Sequence, residues 1–331
     1  MPAGLSVTRV YDRIFTIMRD EALEKELFDS VSARTSTLFA MKMMGAIKRV
    51  GGSPHLRFNI VHQLPATEGY TDLGVLTPVR ADPVTTAIYE WKQLQCPIQI
   101  SGRDMIRTGD EAVPDLLELF IQVAELSMRD AIGGSSVGIF SDGDETVLTE
   151  ITGMQNIFGS STTTGTVGNL SRATYTGWRH NSGNVASAFD TNGLNIMTTL
   201  YRRCSRYDEA PDLIALNGST WDNFLRETTR TFQVHLPFVG EPDKAMIDAG
   251  FPNTRFFNAL MFPDDGVPAN AGYFINTKYH KLYVREGRDA EITDMIKSRE
   301  YDDLVAYILW AGNQCNTSLR SGGVLLNADT Y

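Results

Sequence analysis

The sequence of 331 residues predicts a mixed α+β protein with more than one domain. Three observations support this fold class. A long amphipathic helix occupies the middle of the chain, segments rich in aromatic and β-branched residues precede it, and a separate run of helix and strand patterns follows a Ser/Thr/Gly-rich loop. With 42% hydrophobic residues, a chain of this length can bury substantial cores.

The clearest element is a helix predicted at residues 110–131. Its apolar residues recur at the three-and-four spacing that lines one helix face, and they are Val113, Leu116, Leu117, Phe120, Val123, Ala124 and Ala131. Pro114 suits the first turn, and Gly133-Gly134 follows the last one. Further apolar residues widen the stripe, so we expect a helix buried on more than one side, with a structural role and no chemistry.

Residues 1–50 have the pattern of short amphipathic helices separated by breaks, the last of them at residues 38–50 and rich in methionine. Short helices without a shared pattern bury their apolar faces poorly on one another. They are therefore candidates for an arm that lies along the body of the protein or along a neighbouring molecule. An ordinary helical subdomain is the alternative.

From residue 56 the hydrophobic period changes from that of a helix to that of a strand. Residues 56–64 have strand character, and residues 85–95 and 96–106 predict two further strands with a turn near residues 93–97. A hairpin of this length exposes two strand edges, which proteins normally cover, charge or pair. We expect another molecule to cover it.

The part of the chain after the central helix begins with a short apolar strand predicted at residues 137–140. A loop at residues 159–166 has too few apolar groups to pack and is predicted to be mobile. An α/β region follows, with helices at residues 192–207 and 218–228, the second capped by Ser219 or Thr220. The strands predicted in this region lie at residues 211–217, 255–263, 271–277 and 281–286. Two strands within residues 302–327 could return to the first region.

Charge and composition exclude several classes of protein. The net charge of −10 does not favour attraction of the free surface to nucleic acid, although a protein that encloses DNA remains compatible with it. Cys96, Cys204 and Cys315 lack paired spacing and are interpreted as reduced thiols of a cytoplasmic protein. No apolar run reaches the length of a membrane span, and the N-terminus lacks the pattern of a signal peptide.

The strongest indication of catalysis is the acidic motif that follows residues 137–140. Asp142-Gly-Asp144 resembles the first motif of the haloacid-dehalogenase phosphatases, in which the first Asp is the nucleophile, the second is a general acid, and Mg²⁺ offsets their charge. That family continues with strand-helix crossovers, whereas here a Ser/Thr/Gly loop follows. A magnesium-dependent phosphatase that uses Asp142 and Asp144 is one alternative function.

Other catalytic and metal-binding patterns fail at specific positions. A calcium loop starting at Asp142 would need glycine at its sixth position and glutamate at its twelfth, where the chain has Val147 and Gly153. The five histidines lack the spacing of a zinc site. Residues 134–138 match the G-x-S-x-G motif of a nucleophile elbow around Ser136, but they run from a predicted helix into a predicted strand. A nucleophile elbow runs from a strand into a helix. The sequence therefore predicts a protein that is not an enzyme, with no catalytic residue, cofactor or metal site.

The order of these segments resembles that of the major capsid proteins of tailed bacteriophages, which have the Johnson fold. Residues 87–106, AIYEWKQLQCPIQISGRDMI, are similar to the extended loop of that family, and residues 113–132, VPDLLELFIQVAELSMRDAI, to its spine helix. Residues 170–181, LSRATYTGWRHN, resemble the segment that leads into the axial domain, and residues 211–227 its strand and helix. The strands from residue 276 to residue 327 resemble those that complete the peripheral domain.

The resemblance implies a Johnson-type α+β fold in five parts. They are an N-terminal arm (1–55), an extended β-hairpin loop with flanking strands (56–104), a peripheral domain with the spine helix (105–185), an axial α/β domain (186–298), and returning strands of the peripheral domain (299–331). It also implies a coat protein that self-assembles into pentamers and hexamers of an icosahedral shell around double-stranded DNA. The predicted subunit-interface residues are Tyr89, Trp91, Lys92 and Arg103.

The resemblance implies partners as well. Further copies of the chain, a portal and decoration proteins would surround each subunit in the virion capsid, assembled in the host cytoplasm without a membrane. One branch of the family carries a fused scaffolding segment before the arm; because the predicted arm begins almost at Met1, we expect a separate scaffolding protein. The second alternative is an encapsulin, a compartment of the same fold that holds cargo enzymes instead of DNA.

Overall fold

The structure is a computed structural model that describes residues 36–65, 67, 69, 72, 82–103, 113–206, 209–231, 254–297 and 301–331, with the backbone alone at residues 113–116 and 229–231. The chain divides into two compact units. Unit 1 comprises Met1–Ser32, Cys96–Ser127 and Ile292–Ile308. Unit 2 comprises Ala33–Gln95, Met128–Glu291 and Leu309–Tyr331.

The helices of the described residues are α1 (Ser36–Met43), α2 (Val113–Gly133), α3 (Met154–Ile157), α4 (Phe189–Cys204) and α5 (Gly218–Thr231). The strands before α3 are β1 (Ile47–Val50), β2 (Leu56–Val61), β3 (Val84–Tyr89) and β4 (Lys92–Ser101). Those that follow as far as α5 are β5 (Thr166–Val167), β6 (Leu170–Ser171), β7 (Asn181–Asn184) and β8 (Leu213–Leu216). The remainder are β9 (Thr254–Phe256), β10 (Ala259–Pro263), β11 (Ala271–Ile275), β12 (His280–Arg285), β13 (Glu291–Ile292), β14 (Ile296–Lys297), β15 (Asp303–Asn316) and β16 (Gly323–Leu326).

The main core of unit 2 lies on a six-stranded sheet with the order β7-β16-β11-β8-β10-β9. Its strand β8 consists of four consecutive apolar residues and is buried along its whole length, as expected for a central strand covered on both faces. The apolar sides of α4 and α5 contribute Met197, Leu200 and Trp221 to the same core cluster as Ile214 of β8. The predicted long helix and the predicted α/β region are thus confirmed by α2, α4, β8 and α5.

A second sheet is built along β15, a strand of 14 residues. Within unit 2, β1 pairs in parallel with β12, and β12 pairs antiparallel with the last part of β15, from Val284↔Gly312 to His280↔Asn316. Within unit 1, the first part of β15 pairs with β14 in the register Ile296↔Val305. None of the helices in the described part of the chain is long and apolar enough to cross a membrane.

The predicted third helix of the N-terminal segment is wrong beyond Met43. The chain turns at Gly45, which has φ +69°, and continues as β1 against β12 of the same chain. Ile47 and Val50 are β-branched residues that suit a strand, and the pairing with β12 is a tertiary contact that local periodicity does not reveal. The remainder of the predicted arm, residues 1–35, lies outside the described residues.

The predicted hairpin between residues 85–95 and 96–106 is also wrong. β3 pairs antiparallel with β2, from Leu56↔Tyr89 to Val61↔Val84, so these two strands form a separate ribbon. β4 runs without a break through residues 93–97, where the turn was predicted, and pairs with β15. Glu90 and Trp91 separate β3 from β4, and each strand pairs with a partner far away in sequence.

Three further predictions differ from the structure. Residues 137–140 are not a strand, because Ile139 N–H donates to the carbonyl of Ile132 and folds this segment back on the end of α2. The side chain of Asn217, rather than Ser219 or Thr220, caps α5 by accepting the Ser219 N–H at 3.0 Å. β16 pairs with β11 and β7 in the first sheet, so of the two C-terminal strands only β15 joins the second sheet.

Candidate assembly surfaces

The ribbon of β2 and β3 ends in apolar side chains that face solvent. Val61 and Val84 form its last pair and are 60% and 54% exposed, and Leu64, just beyond, is 79% exposed. No third strand among the described residues pairs with this ribbon. A two-stranded ribbon is marginally stable in water by itself, and apolar side chains at its end lose contact with water when another surface covers them. We call Val61, Leu64 and Val84 the ribbon end.

The opposite end of the ribbon is fixed to its own chain. Tyr89 is fully buried, and its hydroxyl donates a hydrogen bond to the carbonyl of Asn316 at 2.7 Å. The ring of Phe58 packs against Tyr89 and Tyr283 with centroid distances of 6.1 and 5.5 Å. Burial raises the pKa of Tyr89 well above its usual value, so this phenol stays protonated and continues to donate. The ribbon is therefore held at this end, and at the other end His62 packs on Tyr175 with a centroid distance of 5.0 Å while Val61, Leu64 and Val84 remain exposed.

A buried lysine follows the ribbon at the start of β4. Lys92 Nζ donates hydrogen bonds to the carbonyls of Asp144 at 2.6 Å and Val147 at 2.5 Å. Glu145, also buried, accepts the Glu90 N–H at 3.2 Å and the Thr152 hydroxyl at 3.0 Å. Burial lowers the pKa of Lys92 and raises that of Glu145, while the attraction between the two charges opposes both shifts. This network fixes the acidic loop beside the base of the ribbon.

The predicted interface residues fall into two groups. Tyr89 and Lys92 are buried against their own chain, so in this structure they are not available to a neighbouring subunit, and their burial counts against the predicted role. Trp91 is partly buried and donates its indole N–H to the Ser53 carbonyl at 2.9 Å, and Arg103 is exposed. A role of Trp91 and Arg103 in an interface stays a prediction.

The acidic motif does not have the arrangement that a haloacid-dehalogenase phosphatase requires. Asp142 is exposed and does not follow a strand. Asp144 accepts the N–H groups of Thr146 and Val147 at 2.8 and 3.2 Å, and the hydrogen bond from the Thr146 hydroxyl is the main cause that lowers its pKa. Asp144 thus stabilises its own turn. Across the described ranges, no three His, Cys, Asp or Glu side chains are grouped so that they could hold a metal ion.

Sequence reasoning did not identify the role of Arg172, whose buried guanidinium orders the Ser/Thr/Gly-rich loop. Nη1 donates to the carbonyls of Ser161 and Thr164 at 3.3 and 3.1 Å, and Nη2 donates to those of Asn156 and Ile157 at 2.5 and 2.7 Å. Burial lowers the pKa of Arg172 to about 10, so it stays protonated at neutral pH. The mobility predicted for residues 159–166 is not tested, but the Arg172 side chain holds their backbone at two carbonyls.

Unit 1 has a second exposed apolar group. Its exposed side chains are Ile292, Ile296 and Tyr307. They lie on neighbouring strands, because β14 pairs with β15 and the Thr293 N–H donates to the Tyr307 carbonyl at 2.9 Å. Exposed apolar side chains that cluster are typical of interaction sites, whereas isolated ones are common on any surface. This group and the ribbon end are the two candidate assembly surfaces.

Comparison with known proteins gives matches in structure alone. No family model matches the sequence, and no curated protein matches it either. The cyanophage A-1(L) capsid subunit matches with a TM-score of 0.68 and 17% identity, over 93% of this chain and 96% of that chain. The capsid of Myoviridae phage XM1 matches with a TM-score of 0.57 and 9% identity, over 98% of this chain and 99% of that one.

An encapsulin matches as well. The SrpI encapsulin from Synechococcus elongatus PCC 7942 has a TM-score of 0.59 and 13% identity, over 96% of each chain. Identities this low establish architecture only, but the matches extend over almost the full length of every chain compared. By its architecture, this chain has the Johnson fold of the bacteriophage capsid subunits.

Proposed function

We propose that this protein is a major capsid protein whose copies self-assemble into pentamers and hexamers of an icosahedral shell enclosing double-stranded DNA. The observation that carries the proposal is the ribbon of β2 and β3, which is anchored through Tyr89 and exposes Val61, Leu64 and Val84. The shared fold supports the proposal. In this proposal the role is structural and not catalytic.

The energetics of the ribbon end suit assembly of many copies. Burial of one such aliphatic side chain contributes on the order of 1 kcal/mol, which is too little to hold two molecules together. In a closed lattice each subunit makes the same contact with its neighbours, so weak contacts act together. A net charge of −10 also suits a shell around DNA, because a strongly basic inner surface would bind the nucleic acid tightly and impede its release.

The test replaces apolar surface without disturbing the strands. In the double variant Val61→Thr, Val84→Thr both residues stay β-branched, so the ribbon keeps its strand preference while the end becomes polar. We expect a folded subunit whose assembly requires about tenfold more protein, as the loss of roughly 1.4 kcal/mol per contact implies. Shell formation is measured by sedimentation and electron microscopy.

Leu148→Ser provides the matched control, because Leu148 is exposed in the acidic loop, which lies at the base of the ribbon and not at the ribbon end. Its assembly should match that of the unmodified chain. If the double variant assembled as readily as the control, the ribbon end would have no part in shell formation, and the proposal would lose the observation that carries it.

The encapsulin match favours a second candidate, a shell of the same fold that holds cargo proteins. The two kinds of shell differ in what they enclose, so purified particles should be treated with nuclease and their contents then extracted. Protected double-stranded DNA supports the capsid, whereas protein cargo without nucleic acid supports the compartment. The capsid proposal also includes a separate scaffolding protein, a portal and decoration proteins as partners, and assembly of the virion in the host cytoplasm.

A further inference from the structure

The turn between β9 and β10 contains a phenylalanine in a backbone conformation that bulky residues avoid. Phe256 pairs with Ala259, which leaves Phe257 and Asn258 as the two turn residues. Phe257 has φ +53°. The turns favoured in two-residue hairpins require a positive φ at this first position, where Gly, Asn or Asp is usual. For a residue with a large side chain, the left-handed region is disfavoured by contact between Cβ and the backbone.

Burial of the ring does not explain this conformation, because Phe257 is 64% exposed. The ring is nevertheless oriented. It stacks on Tyr201 of α4 with a centroid distance of 5.0 Å and an interplanar angle of 24°, and it meets the edge of Phe256 at 4.9 Å. The hydroxyl of Tyr201 is hydrogen-bonded to the backbone of Asn258, which ties the same turn to α4. The strained turn therefore presents a fixed aromatic ring to solvent.

We infer that Phe257, supported by Tyr201, is a contact residue for a second copy of this chain. Strained residues persist where the surrounding structure holds them for a function, and a preordered aromatic ring loses little conformational entropy on binding. Exposed aromatic residues and arginine are both enriched in interfaces. The inference rests on the proposed self-assembly, and it names a contact separate from the ribbon end.

Charge favours another copy as the partner. Arg202 and Arg203 follow Tyr201 in the last turn of α4 and are exposed, so the end of the helix that supports the ring is basic. A complementary partner has an excess of carboxylates. Each copy of this chain has 40 Asp and Glu residues against 30 Lys and Arg residues, so a second copy meets that requirement.

The test uses Phe257→Gly in the full-length chain. Glycine adopts a positive φ without strain, which offsets the loss of the ring contacts, so the thermal midpoint of the unassembled subunit should stay within about 2 °C of the unmodified chain or rise. Assembly, measured as the protein concentration required for shells or smaller oligomers, should become at least tenfold weaker. Phe257→Tyr keeps the ring and should restore assembly, and Leu148→Ser serves as the control for loss of an exposed apolar side chain.

Two results would overturn the inference. Assembly of Phe257→Gly at the concentration of the unmodified chain would show that no copy binds the ring and would leave it to a different partner. A fall of more than about 5 °C in the thermal midpoint would show that the ring serves the packing of its own subunit. If the unmodified chain formed small oligomers but no shells, the proposed function would fail while the Phe257 comparison could still be made on the oligomers. A chain that stayed monomeric at every concentration would overturn both.

Discussion

The carboxylate of Asp264 accepts the backbone N–H of Thr37 at 2.6 Å, across 227 positions of the sequence. Its second oxygen accepts the Gly266 N–H at 2.8 Å, and the hydroxyl of Ser36 donates to the Pro263 carbonyl at 2.6 Å. Asp264 therefore acts as the N-cap of α1 from the end of β10. Burial raises the pKa of this carboxyl, so its hydrogen bonds form against a desolvation cost.

The first prediction is that Asp264→Ala loosens α1. Loss of an N-cap costs about 1 kcal/mol, and the Thr37 N–H, buried with its acceptor, would have no partner. Hydrogen exchange of the α1 amides should accelerate about tenfold or more. Ser36→Ala leaves the bond from Thr37 in place and should have a smaller effect. If exchange in α1 were the same in Asp264→Ala and in the unmodified chain, Asp264 would not be its cap.

The second prediction concerns Lys92, which is one of the two buried residues of the expected interface. In Lys92→Met the carbonyls of Asp144 and Val147 lose their donor, so we expect the free energy of unfolding to fall by roughly 2 kcal/mol. Urea unfolding of the unassembled subunit measures this. Lys42 is exposed on α1, and Lys42→Met should change stability by less than about 0.5 kcal/mol.

This experiment also separates the two interpretations of Lys92. A residue used only between subunits would leave the stability of the single subunit unchanged and would weaken assembly alone. A residue that fixes the acidic loop within its own chain would weaken the subunit itself. Equal stability of Lys92→Met and Lys42→Met would contradict the structural role argued for Lys92.

The sequence predicted those elements whose signal is local. The apolar stripe of α2 predicts a helix and the uninterrupted apolar run of β8 predicts a buried strand, and both elements were confirmed. The burial expected for α2 on more than one side was not found, since Val123 of its stripe is 47% exposed. The pairing of β3 with β2 was missed because the 22 residues between Val61 and Val84 hide the partner, whereas β4 follows β3 directly and suggested a hairpin. Strand pairing is a property of the fold, and no period within one strand specifies it.

The candidate site was less predictable for the same reason. Lysine is almost always exposed, so nothing in the segment around Lys92 indicates that two carbonyls from residues 144 and 147 enclose its ammonium group. The exposed ends of β2 and β3 carry ordinary valines, and the alternation of apolar and polar residues does not indicate which valines stay exposed in the fold. The turn at Phe257 was missed as well. Residues 255–263 were predicted as a single strand, whereas Phe257 and Asn258 form a turn between β9 and β10.

The third prediction is a loss of stability in mild acid. His280 is fully buried, and its ring nitrogens contact the side-chain amides of Gln314 and Asn316. Burial lowers its pKa to about 3, and burial together with the charge of Arg172 lowers that of His180 to about 3 as well. Both rings are therefore neutral in the folded subunit, whereas in the unfolded chain a histidine has a pKa of about 6.5.

The direction in which stability changes with pH follows from which state, folded or unfolded, binds more protons. Below pH 6.5 the unfolded chain takes up a proton at each histidine and the folded subunit does not, so stability falls as the pH decreases towards about 3. At pH 5 each histidine should contribute a loss of about 2 kcal/mol relative to pH 7. Glu145, Asp212 and Asp264 have pKa values raised by burial, so the folded subunit binds their protons more readily than the unfolded chain and these three groups oppose the trend.

The measurement is urea unfolding of the unassembled subunit at pH 7 and pH 5 for the unmodified chain, His280→Gln and Leu282→Ala. His280→Gln should reduce the stability difference between the two pH values by about 2 kcal/mol, even if the variant is less stable at both. Leu282→Ala removes a buried side chain from the same strand without removing a titratable group, so it should be less stable but keep the pH dependence of the unmodified chain. If the difference between pH 7 and pH 5 were the same in all three proteins, His280 would not be the source of the acid sensitivity.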